Sequence, residues 1–588
     1  MTNYKLNKPS DQEKKISVLK SLGKLLPLLR EEKRNIVLAT IAVLISSGLN
    51  LAAPIIIGYT IDKYILTGNY HGVLVFSGIL LIMYLVALVA SYFQTMLMGT
   101  VGQRLLFNLR NAIFNKIQSL PVAFFNQNKA GDLISRINND TDKLNQFFSQ
   151  SLVQFVANAI VIFGAGIFIL LINWRLGAVA LAPAIFLAIF TQLISPWIQR
   201  RNALSLKNVG GLSAEILESL DNFKAVVAFN RRDYFRQKFN AANDKNYKSA
   251  VGAGIANTIL TPVFEFATDA AQLIVIAYGI YLISIGSFTL GLLSSFIMYI
   301  AKFYDPLRQM AAIWANFQIA LAGWDRIHSI LSLNSDLIIV PSSEKIVKDS
   351  THLEFKNVCF QYPDGKEVLH NINFKLEAGK TYALVGPTGG GKTTTASLMS
   401  RLYDPTTGIV LFKGKDIRSY EASERAGKIG FILQEPFLFT GTVRENILYG
   451  NENYKNHIGE RLEKNIKDLG LETLLARFDQ GLETKISTSG STLSLGQKQL
   501  IAFIRAVLRN PELLILDEAT ANIDTITEQL LEEILKKLPA NTTKVIIAHR
   551  LNTIANADEI YFVNSGELTP AGSMEQAVEM LLHGKRKS

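Results

Sequence analysis

The residue types and spacing best suited to chemistry lie in one stretch, Gly386-Pro387-Thr388-Gly389-Gly390-Gly391-Lys392-Thr393, which follows the pattern G-x-x-x-x-G-K-[ST]. Glycines let backbone N–H groups turn inward and approach a polyphosphate without Cβ atoms in the way. Lys392 is predicted to reach the β- and γ-phosphates, and Thr393 to hold Mg²⁺ through its hydroxyl. The stretch therefore predicts a site for a nucleoside triphosphate with Mg²⁺.

The segments on either side strengthen this prediction. Residues 381–385 read as an apolar strand, and residues 394–400, which begin with Thr394, read as a helix. The N-terminus of such a helix adds the positive end of its dipole to the loop. The alternative is an ordinary glycine-rich turn between a strand and a helix, and the residues downstream argue against it.

A second acidic element lies at residues 513–518, an apolar strand that ends in Asp517 and Glu518. Asp517 is predicted to hold Mg²⁺, and Glu518 to polarise a water for in-line attack on the γ-phosphate. Strands that end in two carboxylates are common. Asp517 and Glu518 indicate a site for nucleoside triphosphate hydrolysis only because a phosphate-binding loop precedes them in the sequence.

The composition predicts a membrane protein of more than one domain. The chain has 588 residues, of which 49% are hydrophobic and 19% charged, and its mean hydropathy is +0.21. A chain of this length is too long for one hydrophobic core, and a chain of this composition is too apolar for a purely soluble enzyme. The only cysteine, Cys359, excludes an internal disulfide framework and offers no metal cluster.

Apolar runs near the ~20 residues that a bilayer helix needs recur along the first part of the chain. The predicted spans are 36–57, 73–98, 151–172, 178–198, 252–282 and 288–308. Lysine and arginine concentrate in the long loops 99–150 and 199–251, which puts these loops inside the cell. The net charge of +11 therefore indicates a membrane orientation, and we predict no nucleic-acid partner.

The organisation that follows has four parts. Residues 1–35 are predicted to form an amphipathic leader on the cytoplasmic face of the membrane. A six-helix transmembrane domain follows at 36–330, with helical intracellular loops, and then a linker at 331–350. The fold class is an all-α membrane domain followed by an α/β P-loop ATPase domain at 351–588, in the cytoplasmic membrane with the N-terminus and the ATPase domain inside.

Residues 351–578 resemble the nucleotide-binding domain of an ATP-binding cassette exporter, and the six spans resemble the membrane half of the same family. Tyr362 matches the aromatic residue that stacks on adenine, and Gln434 the glutamine that touches Mg²⁺. The run 493–497 matches the signature that contacts ATP held by the other subunit. The remaining residues that the resemblance assigns to the ATP site are Ser494, Gly496, Gln497, Asp524 and the switch histidine His549.

Two of these residues also have simpler explanations. Tyr362 begins a Tyr-Pro-Asp-Gly turn and could be a surface aromatic. A single histidine after an apolar strand, such as His549, is usually structural. Its position after the Asp-Glu strand favours contact with the γ-phosphate.

The chain departs from the family pattern at two positions. Leu495 replaces the first glycine of Leu-Ser-Gly-Gly-Gln, and Thr488 stands where exporters often carry glutamate. With Lys392, Asp517 and Glu518 intact, this combination resembles the catalytically competent half of a heterodimer whose partner has an intact signature. A homodimer and, less favoured, a nucleotide-gated channel are the alternatives.

Glu265 and Asp269 lie four residues apart in the fifth span, hence on one helix face. A carboxylate facing lipid at the bilayer centre costs roughly 2.5–3.5 kcal/mol, so both are expected to face the bundle or a wet cavity. Substrate contact and helix-to-helix hydrogen bonding remain equal alternatives. The resemblance implies ATP-driven export of an amphipathic or hydrophobic drug, lipid or peptide, with ATP and Mg²⁺ as cofactors and a second half-transporter as partner.

Overall fold

The computed structural model describes residues 4–6, 30, 32–341, 351–363, 365–451, 460–487, 493–517, 525–547 and 556–583. Most of the predicted leader and residues 342–350 of the predicted linker lie outside these ranges. The chain forms two compact units, which we call the helical unit and the sheet unit. The helical unit contains Lys8–Ile117 and Gly131–Ser332, and the sheet unit contains Met1–Asn7, Gln118–Ala130 and Leu333–Ser588.

Eleven α-helices lie between residues 33 and 331 of the described chain. They are α1 (Lys33–Thr60), α2 (Tyr70–Gln118), α3 (Val122–Gln127), α4 (Ala130–Ser135), α5 (Thr141–Gln146), α6 (Leu152–Ile172), α7 (Trp174–Asp221), α8 (Phe223–Ala228), α9 (Arg232–Thr258), α10 (Leu260–Ser284) and α11 (Leu290–Leu331). π-helical turns at Ile61–Ile65, Arg136–Asp140 and Phe147–Ser151 join some of them. The short helix α3 belongs to the sheet unit.

The predicted spans fall on these helices. Five helical stretches of the described chain are long and apolar enough to cross a membrane, and they contain the first five spans. The sixth predicted span lies in α11, which contains Lys302 and Asp305 within that span and is not among these five stretches. The long helices α2, α7 and α9 also confirm that parts of the loops 99–150 and 199–251 are helical, as predicted.

The predicted fifth span, 252–282, lies within one helical stretch, Arg232–Ser284, which contains one irregular residue. α9 ends at Thr258 and α10 begins at Leu260, and Ile259 between them keeps helical backbone angles, with φ −60° and ψ −27°. Pro262 lies in the first turn of α10 and has no N–H to donate to the carbonyl of Thr258. The missing hydrogen bond accounts for the irregular residue at Ile259.

α1 and α11 cross at close range through glycines. A Cβ atom built on Gly58 would lie 2.5 Å from the carbonyl oxygen of Gly291. Beside this crossing, the Ser295 hydroxyl donates to the carbonyl of Pro54 at 2.7 Å. Asp62 accepts from the backbone N–H of Gly291 at 2.8 Å, which satisfies one of the free donors at the start of α11.

A network of charged side chains joins α4 and the following π turn to the last turns of α11. Asp132 accepts from Arg136 at 2.9 Å and from Arg326 at 2.8 Å, and Arg326 also lies 3.2 Å from Asp140. Arg136 and Asp140 are buried. Pairing offsets the desolvation of these charges. No local sequence pattern indicates this network, because its members are separated by up to 194 residues.

The sheet unit is built from two larger sheets and one short strand pair. Its strands are β1 (Thr351–Gln361), β2 (Glu367–Glu377), β3 (Thr381–Val385), β4 (Thr407–Phe412), β5 (Lys415–Asp416), β6 (Ile429–Ile432), β7 (Gly441–Thr442), β8 (Lys485–Ile486), β9 (Leu513–Asp517), β10 (Thr543–Ile547), β11 (Glu559–Asn564) and β12 (Glu567–Pro570). Its further helices are α12 (Lys392–Met399), α13 (Ala422–Lys428), α14 (Val443–Leu448), α15 (Glu460–Leu469), α16 (Glu472–Leu475), α17 (Leu495–Val507), α18 (Thr525–Lys537) and α19 (Met574–His583).

The order of the larger sheet positions the site. It runs β12-β11-β3-β10-β9-β6, and all strands except β12 are parallel. β3 and β9 flank β10, so the loop after β3 and the carboxylate at the end of β9 meet at the carboxyl edge of the sheet. Ligands of open parallel sheets bind at this edge. The fold class predicted from the sequence, helices followed by an α/β domain, is confirmed.

Candidate ATP site

The predicted phosphate-binding loop connects β3 to α12 and depends on glycine. Gly386 has φ +146°, and a Cβ atom built on it would lie 2.0 Å from the carbonyl oxygen of Val563 on β11. Gly391 has φ +114° and precedes the first residue of α12. The loop also closes on itself, because the Gly390 N–H donates to the Pro387 carbonyl at 3.1 Å. Other residues at these positions would alter the cradle that a phosphate chain requires.

Lys392 lies within this loop. Its side chain is buried, and Nζ donates to the carbonyl oxygens of Gly386 at 2.8 Å and Pro387 at 3.0 Å. These acceptors hold the ammonium at the centre of the loop, at the N-terminus of α12. Pro387, Thr388 and Gly389 are exposed at the outer side of the loop. The arrangement concentrates positive potential where a phosphate would lie.

Thr393 and Asp517 come together from separate elements. The Thr393 hydroxyl donates to Asp517 Oδ1 at 3.4 Å, and Asp517 is buried at the end of β9. A hydroxyl and a carboxylate are oxygen ligands of the kind that Mg²⁺ prefers. The described residues contain no group of three or more His, Cys, Asp or Glu side chains that could hold a metal.

Tyr362 lies beside the loop and is half-buried. Its hydroxyl is 3.1 Å from the Thr394 hydroxyl, in the first turn of α12. Its ring packs edge-on against Phe360 and Tyr403, with centroids 4.8 and 5.5 Å away. The turn after Tyr362 is present, since the Gly365 N–H donates to the Tyr362 carbonyl. The structure therefore contains both the turn predicted at Tyr362 and a Tyr362 side chain that is held beside the phosphate-binding loop.

Gln434 follows β6, two residues after the strand ends, and is exposed. β6 is the neighbour of β9 in the sheet. Gln434 is therefore at the same carboxyl edge as Asp517.

The signature residues form the start of α17. Ser494 caps this helix, with its hydroxyl accepting from the Gln497 N–H at 3.2 Å while Gln497 Oε1 accepts from the Ser494 N–H at 3.0 Å. This reciprocal cap leaves the hydroxyl hydrogen of Ser494 to donate elsewhere. Gly496 lies in the first turn, and Leu495 is 41% exposed. The leucine side chain thus stands at the surface beside the potential donors.

Four residues singled out in the sequence lie outside the described residues: Thr488, Glu518, Asp524 and His549. Tyr403 and Asn126 were not predicted from the sequence as residues near the site. The Asn126 amide donates to the Tyr403 hydroxyl at 2.7 Å, and burial raises the pKa of Tyr403 above its ordinary value. No local pattern signals this pair.

Glu265 and Asp269 were singled out for the transport pathway. Both are exposed on α10. Neither has a hydrogen-bond or ion-pair partner within the described chain. Bonding between helices of one chain therefore does not account for them.

Comparisons with known proteins agree with this architecture. The family profile described as ABC transporter transmembrane region matches residues 36–307, and the profile described as ABC transporter matches residues 369–521. The uncharacterized ABC transporter ATP-binding protein YfiC of Bacillus subtilis is 32% identical, over 95% of this chain and 92% of its own length. An ATP-dependent lipid A-core flippase of Syntrophus aciditrophicus is 30% identical, over 94% of this chain and 91% of its own. A bacterial Atm1-family ABC exporter with ATP bound is 25% identical, has a TM-score of 0.78, and is matched over 95% of this chain and 99% of that one.

Proposed function

This chain belongs to the ABC transporter family and is a multi-pass membrane protein that couples ATP hydrolysis to transport, and from this premise we propose that it exports an amphipathic or hydrophobic substrate across the cytoplasmic membrane as one half of a heterodimer. The ATP site with Lys392, Thr393 and Asp517 gathered at one sheet edge carries the proposal. The exposed Leu495 carries the choice of heterodimer.

In this proposal, different residues of the chain bind the phosphates and the base of ATP. The loop 386–391 and Lys392 bind the phosphates, and Tyr362 stacks on the base. The buried ammonium of Lys392 supports this role, because its carbonyl partners are uncharged and a phosphate is a stronger acceptor. Thr394 supports it as well, by orienting the Tyr362 hydroxyl.

Mg²⁺ would be held by Thr393, Gln434 and Asp517, and its charge would offset that of the phosphates. Glu518 would accept the proton of the attacking water. The roles of Asp524, in the loop after the catalytic strand, and of His549, at the γ-phosphate, follow from the family resemblance.

Two exposed apolar surfaces support a dimer. The sheet unit has a groove of about 290 Å³, whose lining includes the exposed aromatic residues Phe437, Phe439 and Tyr449. In the helical unit, α8 leaves Phe223 and Val227 largely exposed at a short turn between long helices. Exposed apolar patches of this kind mark interaction sites. We assign the groove to α8 of the partner subunit.

Leu495 supports a partner that differs from this chain. Ser494 and the N–H groups at the start of α17 would face ATP bound by the partner, in the manner of an anion at a helix N-terminus. The leucine side chain beside them hinders close approach. A partner with glycine at this position would complete the catalytic site built from Lys392 and Glu518 of this chain.

Expression of this chain without a partner tests the heterodimer. We expect weak ATPase activity, and we expect Leu495→Ala to raise it about tenfold, because one restored set of donors at a developing charge has an effect of at least this size. Leu581→Ala is the matched control, since Leu581 is equally exposed, at 41%. A stable homodimer with transport-coupled ATPase activity that Leu495→Ala leaves unchanged would reject the heterodimer.

The cargo is proposed from Glu265 and Asp269. Two unpaired carboxylates on one face of α10 are too costly to face lipid, so we place them at a wet pathway where they attract the positive end of an amphipath. Two relatives have names that refer to lipid A-core and to multidrug resistance. These names support the proposed class of substrate and do not identify one transported molecule.

Removing both charges tests the cargo proposal. In the assembled transporter, Glu265→Gln/Asp269→Asn is expected to weaken stimulation of the ATPase by the cationic dye ethidium at least about fivefold, since two charge pairs in a partly dry site are lost. Glu463→Gln/Asp468→Asn removes the same charges from exposed positions on α15 of the sheet unit and serves as control. Equal stimulation of both double variants would remove the two carboxylates from the pathway.

A further inference from the structure

Residues 4–6 lie against α3, the six-residue helix at 122–127, which belongs to the same sheet unit. The Tyr4 N–H donates to Gln127 Oε1 at 3.0 Å, and the Leu6 N–H donates to Asn128 Oδ1 at 3.0 Å. In return the Asn128 amide donates to the Tyr4 carbonyl at 3.0 Å. Side-chain amides thus pair with this backbone as a neighbouring strand would.

The side chain of Tyr4 is completely buried. Its relative exposure is 0%, and its ring meets Phe124 of α3 edge-on, with 6.5 Å between centroids. Its hydroxyl accepts from the Asp336 N–H at 2.7 Å and donates to the Asn334 carbonyl at 3.1 Å. Tyr4 therefore ties α3 to the segment that follows α11.

A second set of contacts connects the same two segments. The Arg401 guanidinium donates to the carbonyl of Ile338 at 2.8 Å. Two residues later, the Tyr403 hydroxyl accepts from Asn126 of α3 at 2.7 Å. Tyr4, α3, the 401–403 turn and residues 334–338 thus form a closed ring of contacts within the sheet unit.

This ring reaches the ATP site through Tyr403, whose ring packs on Tyr362. α3 cannot set its own position, because isolated helices of this length are unstable and Pro121, its N-cap, makes no side-chain cap bond. Contacts must fix where Asn126 lies. Among these contacts, the Tyr4 side chain is buried more completely than that of Tyr403, at 0% against 6% exposure.

We propose that Tyr4 is a positioning residue for ATP binding: by closing the ring between α3 and residues 334–336, it holds Asn126 against Tyr403 and so fixes Tyr362 beside the bound base. The proposal rests on the role of Tyr362 proposed above. Tyr4 touches no substrate. Its effect reaches the base through α3, Asn126 and Tyr403.

The first measurement is hydrogen exchange in the full-length, purified transporter. Tyr4→Ala is expected to speed amide exchange in residues 118–130 about tenfold or more, and Tyr4→Phe, which loses only the two hydroxyl bonds, by a smaller factor. The control is Tyr247→Ala, on α9, where Tyr247 is 66% exposed. Unchanged exchange in residues 118–130 of Tyr4→Ala would overturn the proposal.

The second measurement separates positioning from stability. Tyr4→Phe is expected to raise KM for ATP about threefold with kcat within about twofold, since a loosened contact affects binding of the base and not the chemical step. A merely structural role would lower the active fraction, hence kcat, and leave KM alone. A kcat loss without a KM change would overturn the proposal.

A double variant tests the route. Tyr403→Phe should raise KM as Tyr4→Phe does, and Tyr4→Phe/Tyr403→Phe should resemble either single variant, because residues in one network are not additive. Additive effects would reject the route through Tyr403. If Tyr362→Ala leaves KM unchanged, the proposed base contact fails instead, whereas the exchange result for α3 stands.

Discussion

Replacement of Glu518 by glutamine in the assembled transporter is expected to slow ATP hydrolysis at least about 100-fold and to leave ATP binding intact, because a general base contributes a factor of this size. Glutamine has the shape of glutamate but cannot accept the proton of the attacking water. In the sequence, Glu518 directly follows Asp517. Asp517 is buried at the end of β9 and accepts a hydrogen bond from Thr393. ATPase rates and equilibrium binding of radiolabelled ATP measure the two effects.

The control for this substitution is Glu463→Gln. Glu463 is exposed on α15, so the substitution removes a carboxylate without touching the site. It should retain the wild-type rate. If Glu518→Gln also hydrolyses ATP near the wild-type rate, Glu518 is not the base and the reaction needs another proton acceptor.

Replacement of Gly386 by alanine is expected to raise the Kd for ATP at least tenfold. Backbone strain at φ +146° costs about 1–3 kcal/mol, and about 1.4 kcal/mol corresponds to a factor of ten in Kd. The added Cβ would also lie 2.0 Å from the Val563 carbonyl oxygen, so the loop or β11 has to move. Binding of a fluorescent ATP analogue and thermal unfolding with and without Mg-ATP measure the change.

Gly427→Ala is the matched control for this second prediction. A Cβ atom on Gly427, in α13, meets nothing within 4 Å. Alanine also favours a helix over glycine. This variant should bind ATP as the wild type does and should unfold at the same or a higher temperature. Unaltered ATP binding by Gly386→Ala would show that the loop tolerates the rearrangement.

The parts of the site that sequence reasoning found share one property: their signals are local. A phosphate loop needs glycines at fixed positions between a strand and a helix, and 386–393 carries them within eight residues. The spans were found because a bilayer demands an uninterrupted apolar length.

Other features depend on partners that are far apart in sequence. Asn126 and Tyr403 are 277 residues apart, and Tyr4 and Asn334 are separated by 330. The buried side chains of Arg136 and Asp140 likewise contact Arg326, which is distant from both in the sequence. Each residue type alone would read as an ordinary surface or loop residue.

The amino-acid sequence by itself determined that this protein crosses the membrane repeatedly and binds a nucleoside triphosphate, since both properties are written in short, continuous patterns. Only the tertiary structure decided that Thr393 meets Asp517, that the short helix α3 sits on Tyr403, and that Tyr4 secures it. The reason is physical: strand order and packing bring these side chains together, and no local preference of the chain encodes that order.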